Sequence, residues 1–128
     1  MDWNDRGECL VAVRKNGYAL QQVKKQSELL CLEAVKENGF ALQLVKDQTE
    51  EICLAAINQS GYALQYVKNQ NNKICLAAVE QNGFALNYVK NQTLEICLEA
   101  IKQNKGVLKL VDKEKFPNVY VYYKLLYS

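Results

Sequence analysis

The chain has 128 residues, enough for one domain with its own core, and its 49% hydrophobic and 23% charged content is ordinary for a folded protein. Its 16 basic and 14 acidic residues are well mixed and leave a net charge of +2, unlike the basic stripe of a dedicated nucleic-acid binder. No charged-then-apolar leader follows Met1 and no apolar run is long enough to span a membrane, so we expect a soluble, intracellular protein.

The chain is built from a 22-residue unit that occurs five times. The stretch ICLAAINQSGYALQYVKNQ at 52–70 returns almost letter for letter as ICLAAVEQNGFALNYVKNQ at 74–92. The five units are 5–26, 27–48, 49–70, 71–92 and 93–114. Units this small bury their apolar residues only by stacking on one another. We therefore predict a single helical-repeat domain over 1–128, with a C-terminal cap at 115–128.

Each unit opens with a residue suited to start a helix. These residues are Asp5, Ser27, Thr49, Asn71 and Thr93. Their side-chain oxygens can accept hydrogen bonds from the free N–H groups of a first helical turn. Acidic residues such as Glu50 and Glu51 follow, where the helix dipole favours them. Apolar residues such as Cys53, Ala56 and Ile57 then share one face, so the pattern predicts an amphipathic helix.

This first helix is predicted to stop at an Asn-Gly or Ser-Gly pair in the first four units. The glycines are Gly17, Gly39, Gly61 and Gly83. A glycine just past a helix end commonly takes the left-handed conformation that closes the helix. The aromatic residue that follows it (Tyr18, Phe40, Tyr62 or Phe84) is then expected to pack back on the helix in a Schellman ending.

A second, shorter helix follows, because apolar residues such as Ala63, Leu64 and Val67 recur at i, i+1 and i+4. No segment alternates with a period of two, which argues against the strand of a leucine-rich repeat. The predicted fold class is all-α: an α-solenoid of five two-helix repeats, the two helices of each antiparallel, with short terminal caps.

Five cysteines, one in each unit, are spaced uniformly at 22 residues. They are Cys9, Cys31, Cys53, Cys75 and Cys97. Equivalent atoms of packed helices lie about 8–10 Å apart, beyond the roughly 7 Å Cα separation that a disulfide can span. An odd number without a CxxC pair is also a poor zinc site. We interpret the five as a column of small buried thiols, and predict no metal or cofactor site.

The two ends of the chain differ from the repeats and are expected to cap the stack. Trp3 precedes the first unit and could cover it. At the other end Pro117 suits the first turn of a helix in which Val119, Tyr123 and Leu126 share a face, although the segment also fits strand alternation. Because tyrosine is favoured at interfaces, this segment is alternatively a docking site. Its tyrosines are Tyr120, Tyr122, Tyr123 and Tyr127.

The repeated motif is similar to a known family. AVKENGFALQLVKDQT at 34–49 and AVEQNGFALNYVKNQT at 78–93 resemble the short helical repeats of a domain of unknown function that is abundant in giant DNA viruses of amoebae. The resemblance covers 5–114 and implies helical repeats, a viral origin and action in the cytoplasm of an infected cell. It brings no catalytic residues. Departures are Lys105-Gly106, which displaces the Gly-aromatic pair, and the loss of the pattern from Lys115 onward.

The sequence favours a binding surface over an active site. There is no histidine, no glycine-rich phosphate loop and no isolated carboxylate pair, so we predict no catalytic residues and no enzyme activity. Two polar columns recur without a packing role and are expected to form stripes on one side of the stack. They are Gln21, Gln43, Gln65 and Asn87, and Lys24, Lys46, Lys68 and Lys90. The leading hypothesis is a protein-binding scaffold or adaptor. The alternatives are single-stranded RNA binding, docking through the chain ends, and simple solvation of these positions.

Overall fold

A computed structural model describes residues 1–128 and shows helices in regular alternation, with no strand. The α-helices are α1 Arg6–Lys15, α2 Glu28–Glu37, α3 Glu50–Gln59, α4 Asn72–Gln81, α5 Leu94–Gln103 and α6 Val119–Tyr127. The 3-10 helices are η1 Gly17–Gln22, η2 Gly39–Leu44, η3 Gly61–Tyr66, η4 Gly83–Tyr88 and η5 Lys105–Leu110. Each of the five repeats is one α-helix followed by one 3-10 helix. Neighbouring α-helices contact each other, as do neighbouring 3-10 helices, so the repeats stack into a two-layered solenoid and the predicted fold class is confirmed.

The predicted helix starts are all confirmed. The side chain at the first position of each repeat accepts a hydrogen bond from the backbone N–H three residues later, at 2.8–3.2 Å. One of the four free N–H groups at the start of each of α1 to α5 is thereby satisfied within the repeat. The start of each repeat is therefore a local property of its own sequence.

The second helix of each repeat is a six-residue 3-10 helix, a type that the apolar spacing did not distinguish from an α-helix. A ten-residue α-helix is about 15 Å long at 1.5 Å per residue. Six residues of 3-10 helix span about 12 Å at 2.0 Å per residue. The tighter helix lets a short segment match most of the length of its α-helical partner, so two layers of similar depth can stack.

The predicted left-handed glycines are wrong, since no residue of the chain has a positive φ. The chain turns instead at the residue before the glycine, and Asn16 is extended at φ −152° and ψ 109°. Its side-chain oxygen accepts a hydrogen bond from the Tyr18 N–H at 3.0 Å and so caps the 3-10 helix. The Schellman ending is therefore absent, and the aromatic residues have a different role, described below.

The glycine is required because the next repeat lies against it. A Cβ atom on Gly39 would lie 2.5 Å from the carbonyl oxygen of Ala56 in α3. The Gly39 N–H donates to Oε1 of Gln59, also in α3, at 2.7 Å. Gly17 and Gly61 repeat both features with α2 and α4. The absence of a side chain lets backbone approach backbone between repeats.

A continuous core of 32 buried hydrophobic residues runs through the stack, and no polar residue is buried with it. It contains all five cysteines as free thiols, as the spacing predicted. The second, third and fourth repeats bury small and branched side chains at the same positions. In the third repeat these include Ile52, Ala56, Ile57 and Leu64, each at most 1% exposed.

A glutamine at the end of each of the first four repeats bridges to the next repeat. Gln48 Nε2 donates to the Tyr66 carbonyl at 2.8 Å, and its Oε1 accepts from the Lys68 N–H at 3.0 Å. The same oxygen accepts from the Cys53 thiol at 3.6 Å. The equivalent residues Gln26, Gln70 and Gln92 make the same three contacts. One glutamine side chain thus forms hydrogen bonds with two backbone groups at the end of the following 3-10 helix and also orients the thiol.

Both chain ends are covered. Trp3 packs against the core, and its carbonyl accepts from the Cys9 thiol at 3.3 Å, replacing the bridging glutamine. At the other end the open choice between helix and strand is settled as helix α6, in which Val119 is buried and Tyr123 packs against the core. The predicted position of Pro117 is wrong by two residues, because α6 begins at Val119.

Candidate interaction surfaces

The carboxamide column lies on the 3-10 helices. Gln21, Gln43, Gln65 and Asn87 are all exposed, each as the fifth residue of its 3-10 helix. In the middle of the stack, Nε2 of Gln43 donates to the Phe40 carbonyl at 3.0 Å, and Nε2 of Gln65 donates to the Tyr62 carbonyl at 3.1 Å. These bonds hold the amide against its own helix, while its oxygen accepts no hydrogen bond from the protein.

Aromatic rings pair across neighbouring repeats beside this column. The second residue of one 3-10 helix meets the last residue of the next, and the ring centroids lie 5.9 Å apart for Phe40 and Tyr66. For Tyr62 and Tyr88 the distance is 6.0 Å. Both pairs are edge-to-face, an arrangement that the ring quadrupole favours. The partners Tyr66 and Tyr88 were not among the predicted residues, although their 26-residue offset from Phe40 and Tyr62, one unit plus four residues, was visible in the sequence.

The rings and carboxamides line a cavity of about 500 Å³. Its lining residues are Phe40, Tyr62, Gln65, Phe84, Asn87, Tyr88, Lys109 and Leu110. Helices η1 to η4 contain no charged residue, whereas η5 contains Lys105 and Lys109. We call the exposed surface of the five 3-10 helices the aromatic–carboxamide face. It is neutral along most of its length and positive at one end.

The lysine column lies outside the 3-10 helices that carry the carboxamide column. The four lysines are exposed and lie two residues beyond the end of η1 to η4, in the turns between repeats. They are Lys24, Lys46, Lys68 and Lys90. Lys68 and Lys90 line a separate groove of about 440 Å³ with Asn69, Asn91 and Thr93. Neither Gln65 nor Asn87 reaches this groove. The two predicted columns therefore do not line one groove.

The C-terminal tyrosines divide into packed and exposed members. The Tyr127 hydroxyl donates to the Ile101 carbonyl and ties the end of α6 to α5. Tyr123 packs against Tyr127 and stacks on Tyr120, with centroids 5.4 and 5.9 Å apart. Tyr120, Tyr122 and, despite its hydrogen bond, Tyr127 are exposed, and so are Val121 and Leu125 at 57% and 76%. Helix α6 thus covers the stack with one face and leaves an apolar face in solvent.

The thiol column is chemically quiet. Burial raises the pKa of the Cys31 and Cys97 thiols to about 11, from an ordinary value of 9.0. Burial also raises the pKa of Cys9, Cys53 and Cys75. Because the thiolate is the nucleophile and the metal ligand, these cysteines are poorly reactive at neutral pH. Their arrangement suits packing and the bond to the bridging glutamine.

No helix has the length and apolar character that crossing a membrane requires. No curated protein and no solved structure is similar to the chain. A family model described as a domain of unknown function, DUF4116, matches three overlapping segments, 27–71, 49–94 and 71–114. Successive matches begin one 22-residue repeat apart, and together they span 27–114, more than half of the chain. The protein therefore belongs to the DUF4116 family of unknown function.

Proposed function

We propose that the chain is a non-enzymatic scaffold that binds another protein through its aromatic–carboxamide face. The observation that carries the proposal is the ring-lined cavity that continues across successive repeats and contains one charged residue, Lys109, at its end. Tyrosine, phenylalanine and amide side chains supply large contact areas and adaptable hydrogen bonds, and such compositions are typical of protein-binding surfaces. A solenoid presents such a surface as one extended face.

The residues of the chain give little support to a catalytic role. The sequence has no histidine, the commonest general base. Its five thiols are buried with raised pKa values, so they are poor nucleophiles at neutral pH. We therefore propose that the chain acts by binding alone.

Single-stranded RNA is the weaker candidate. RNA affinity depends on cations that follow the phosphate backbone beside bases stacked on aromatic rings. Here the rings lie on η2 to η4, which carry no charge, and the lysine column lies in the separate groove of the turns. This separation favours a protein partner.

We further propose a viral origin and action in the cytoplasm of an infected host cell. The support is the resemblance of the AVKENGFALQLVKDQT unit to repeats abundant in giant DNA viruses of amoebae. In this setting the partner would be a host or viral polypeptide.

The test is quantitative binding with matched surface variants. A display library of random peptides is selected on the native chain, and selected peptides are measured against Gln43→Glu/Gln65→Glu/Asn87→Asp. The three new carboxylates replace exposed amides, so folding should be retained and circular dichroism should be unchanged. We expect peptide affinity to fall at least about tenfold, equivalent to about 1.4 kcal/mol.

The matched control places the same added negative charge on the α-helical layer. Lys36→Glu/Asn58→Asp alters two exposed residues that share one repeat position in α2 and α3. It should bind the selected peptides as tightly as the native chain. If both variants bind normally, the aromatic–carboxamide face is not the site. Loss of binding in Val121→Asp/Leu125→Asp alone would then place the site on α6.

A further inference from the structure

We propose that the aromatic–carboxamide face takes a proline-rich segment in the polyproline II conformation, with an acidic residue beside Lys109. This inference rests on the proposed function and names the class of partner. It is drawn from the period of the face, the chemistry of its side chains and the distribution of its charge.

The period of the face selects the conformation of the ligand. Packed helices recur about every 8–10 Å, so rings and carboxamides of successive repeats present equivalent contacts at that spacing. A polyproline II helix returns to the same face every three residues, or about 9.3 Å. A strand does so about every 6.6 Å, and an α-helix about every 5.4 Å. Of these three conformations, the polyproline II helix is the one in which a single turn matches the expected spacing of the repeats.

The side chains of the cavity suit proline. Half-buried rings of Phe40, Tyr62 and Phe84 follow one another in successive repeats, with Tyr88 beside them. Aromatic-lined grooves of this kind hold proline rings, and the preformed ligand loses little conformational entropy on binding. Proline has no N–H, so its carbonyls need donors. One N–H of the Gln65 amide bonds to the Tyr62 carbonyl, which leaves its second N–H for a ligand. The Asn87 amide and the hydroxyls of Tyr62 and Tyr88 are further donors on the cavity wall.

The charge of the face argues for a nearly neutral ligand with one acid. Helices η2 to η4 carry no charge, and a proline-rich segment carries none either. The cavity has a single cation, Lys109, at the end formed by the fifth repeat. Lys109 makes no ion pair within the protein. A carboxylate on the bound segment would complement it.

Fluorescence anisotropy tests the inference. The probes are labelled peptides of about nine prolines, three turns of the helix, with Asp at either terminus. A glycine–serine peptide of equal length with the same Asp is the control. We expect a proline peptide to bind at least about tenfold more tightly than the control, and Tyr62→Ala or Gln65→Glu to remove that advantage. Circular dichroism checks folding, and Gln65→Glu keeps the test valid if Tyr62→Ala unfolds.

A charge exchange tests the placement of the acid. Lys109→Glu should weaken binding of the Asp peptide, and replacing that Asp by Lys should restore it. Equal affinity for proline and glycine–serine peptides would overturn the inference. The proposed function survives that result if library-selected peptides of other composition still depend on Gln65 and Asn87. If no selected peptide depends on this face, both are wrong.

Discussion

The second and fifth repeats share a capped α-helix, a buried thiol and a 3-10 helix, yet they differ where a further repeat would stack. Gly39 begins η2, and its Cα lies against the Ala56 carbonyl of the next α-helix. Lys105 holds the same position in the fifth repeat and is exposed, because α6 follows instead of another repeat. Both residues begin a 3-10 helix and neither has a positive φ, so the backbone conformation does not require glycine at this position. The glycine is therefore needed because it makes room for the neighbouring repeat, and not because of the turn in which it lies.

The first repeat shows the same rule at the other end. Glu8 is exposed there, whereas the equivalent positions of all later repeats are buried and apolar. Those positions are Leu30, Ile52, Ile74 and Ile96. Only the later residues have a preceding repeat to pack against. A polar residue at this position therefore marks the first unit of the stack, as solubility of a terminal repeat requires.

The largest expected effect comes from placing the residue of the fifth repeat in the second. In Gly39→Lys the new Cβ would lie 2.5 Å from a backbone oxygen that cannot move alone. Overpacking of this kind costs about 1–3 kcal/mol, and the repeats on either side would also have to separate. We expect the free energy of unfolding in urea, followed by circular dichroism, to fall by about 3 kcal/mol.

Lys105→Gly is the reciprocal control. It removes an exposed side chain that meets no further repeat, so only the entropy of the unfolded chain should change. The expected loss is about 0.5–1 kcal/mol. Equal losses in the two variants would show that the glycine is needed by its own turn, and the stacking explanation would be wrong.

A smaller loss of stability is expected when a bridging glutamine is replaced, and almost none when a surface glutamine is replaced. Gln48→Ala removes the bonds to the Tyr66 carbonyl and the Lys68 N–H of the next repeat. Leaving such groups unpaired costs about 1–3 kcal/mol, and we expect a loss near 2 kcal/mol in the same unfolding assay. Gln43→Ala removes an exposed amide from the aromatic–carboxamide face and should change stability by less than about 0.5 kcal/mol.

Gln92→Ala extends this comparison to the fifth repeat. Gln92 bridges to the Leu110 carbonyl and the Asp112 N–H, at 2.9 Å in both cases. The loss should therefore equal that of Gln48→Ala. A loss in Gln43→Ala as large as in Gln48→Ala would contradict the assignment of distinct roles to the two columns.

The dependence of stability on pH should be the same in interior and terminal repeats. The pKa of Cys31 in the second repeat and of Cys97 in the fifth is about 11, raised from 9.0 by burial. Between these values the folded chain keeps protons that the unfolded chain has lost. Stability from the thiols is therefore fully present below about pH 9 and is lost as pH rises toward 11.

Urea titrations at several pH values from 8 to 11 measure this effect as the slope of the unfolding free energy against pH. Cys31→Ala and Cys97→Ala should each reduce the fall in unfolding free energy by a similar amount, because both thiols bond to the glutamine of the preceding repeat. The lysines and tyrosines are the same residues in every variant, so the difference in slope isolates the thiol. An unchanged slope would mean that the thiols ionise alike in folded and unfolded chains.

Structural features that depend on one repeat alone were predictable from the amino-acid sequence. Ser27 and Thr49 could be identified as helix starts, because a cap needs only the three residues that follow it. The buried thiols followed from their period. The polar column of Gln43 and Gln65 was also predictable, since exposed residues recur without a packing role.

Features that depend on two repeats were not predictable. The left-handed conformation expected of Gly39 was wrong, because its true constraint is a carbonyl 17 residues away in sequence that approaches only when repeats stack. The bridging role of Gln48 was missed for the same reason, since its partners lie 18 and 20 residues further on. The separation of the carboxamide and lysine columns also follows from where the 3-10 helix ends.

The repeat, the helix starts, the solenoid and the burial of the cysteines follow from the sequence alone, because each depends on local hydrogen bonding or on apolar periodicity. The tertiary structure was needed to show that the second helix is a 3-10 helix, that rings pair across repeats, and that the carboxamide and lysine columns do not line one groove. Those features arise from contacts between successive units. These features cannot form within a single repeat, since its apolar residues are buried only by its neighbours.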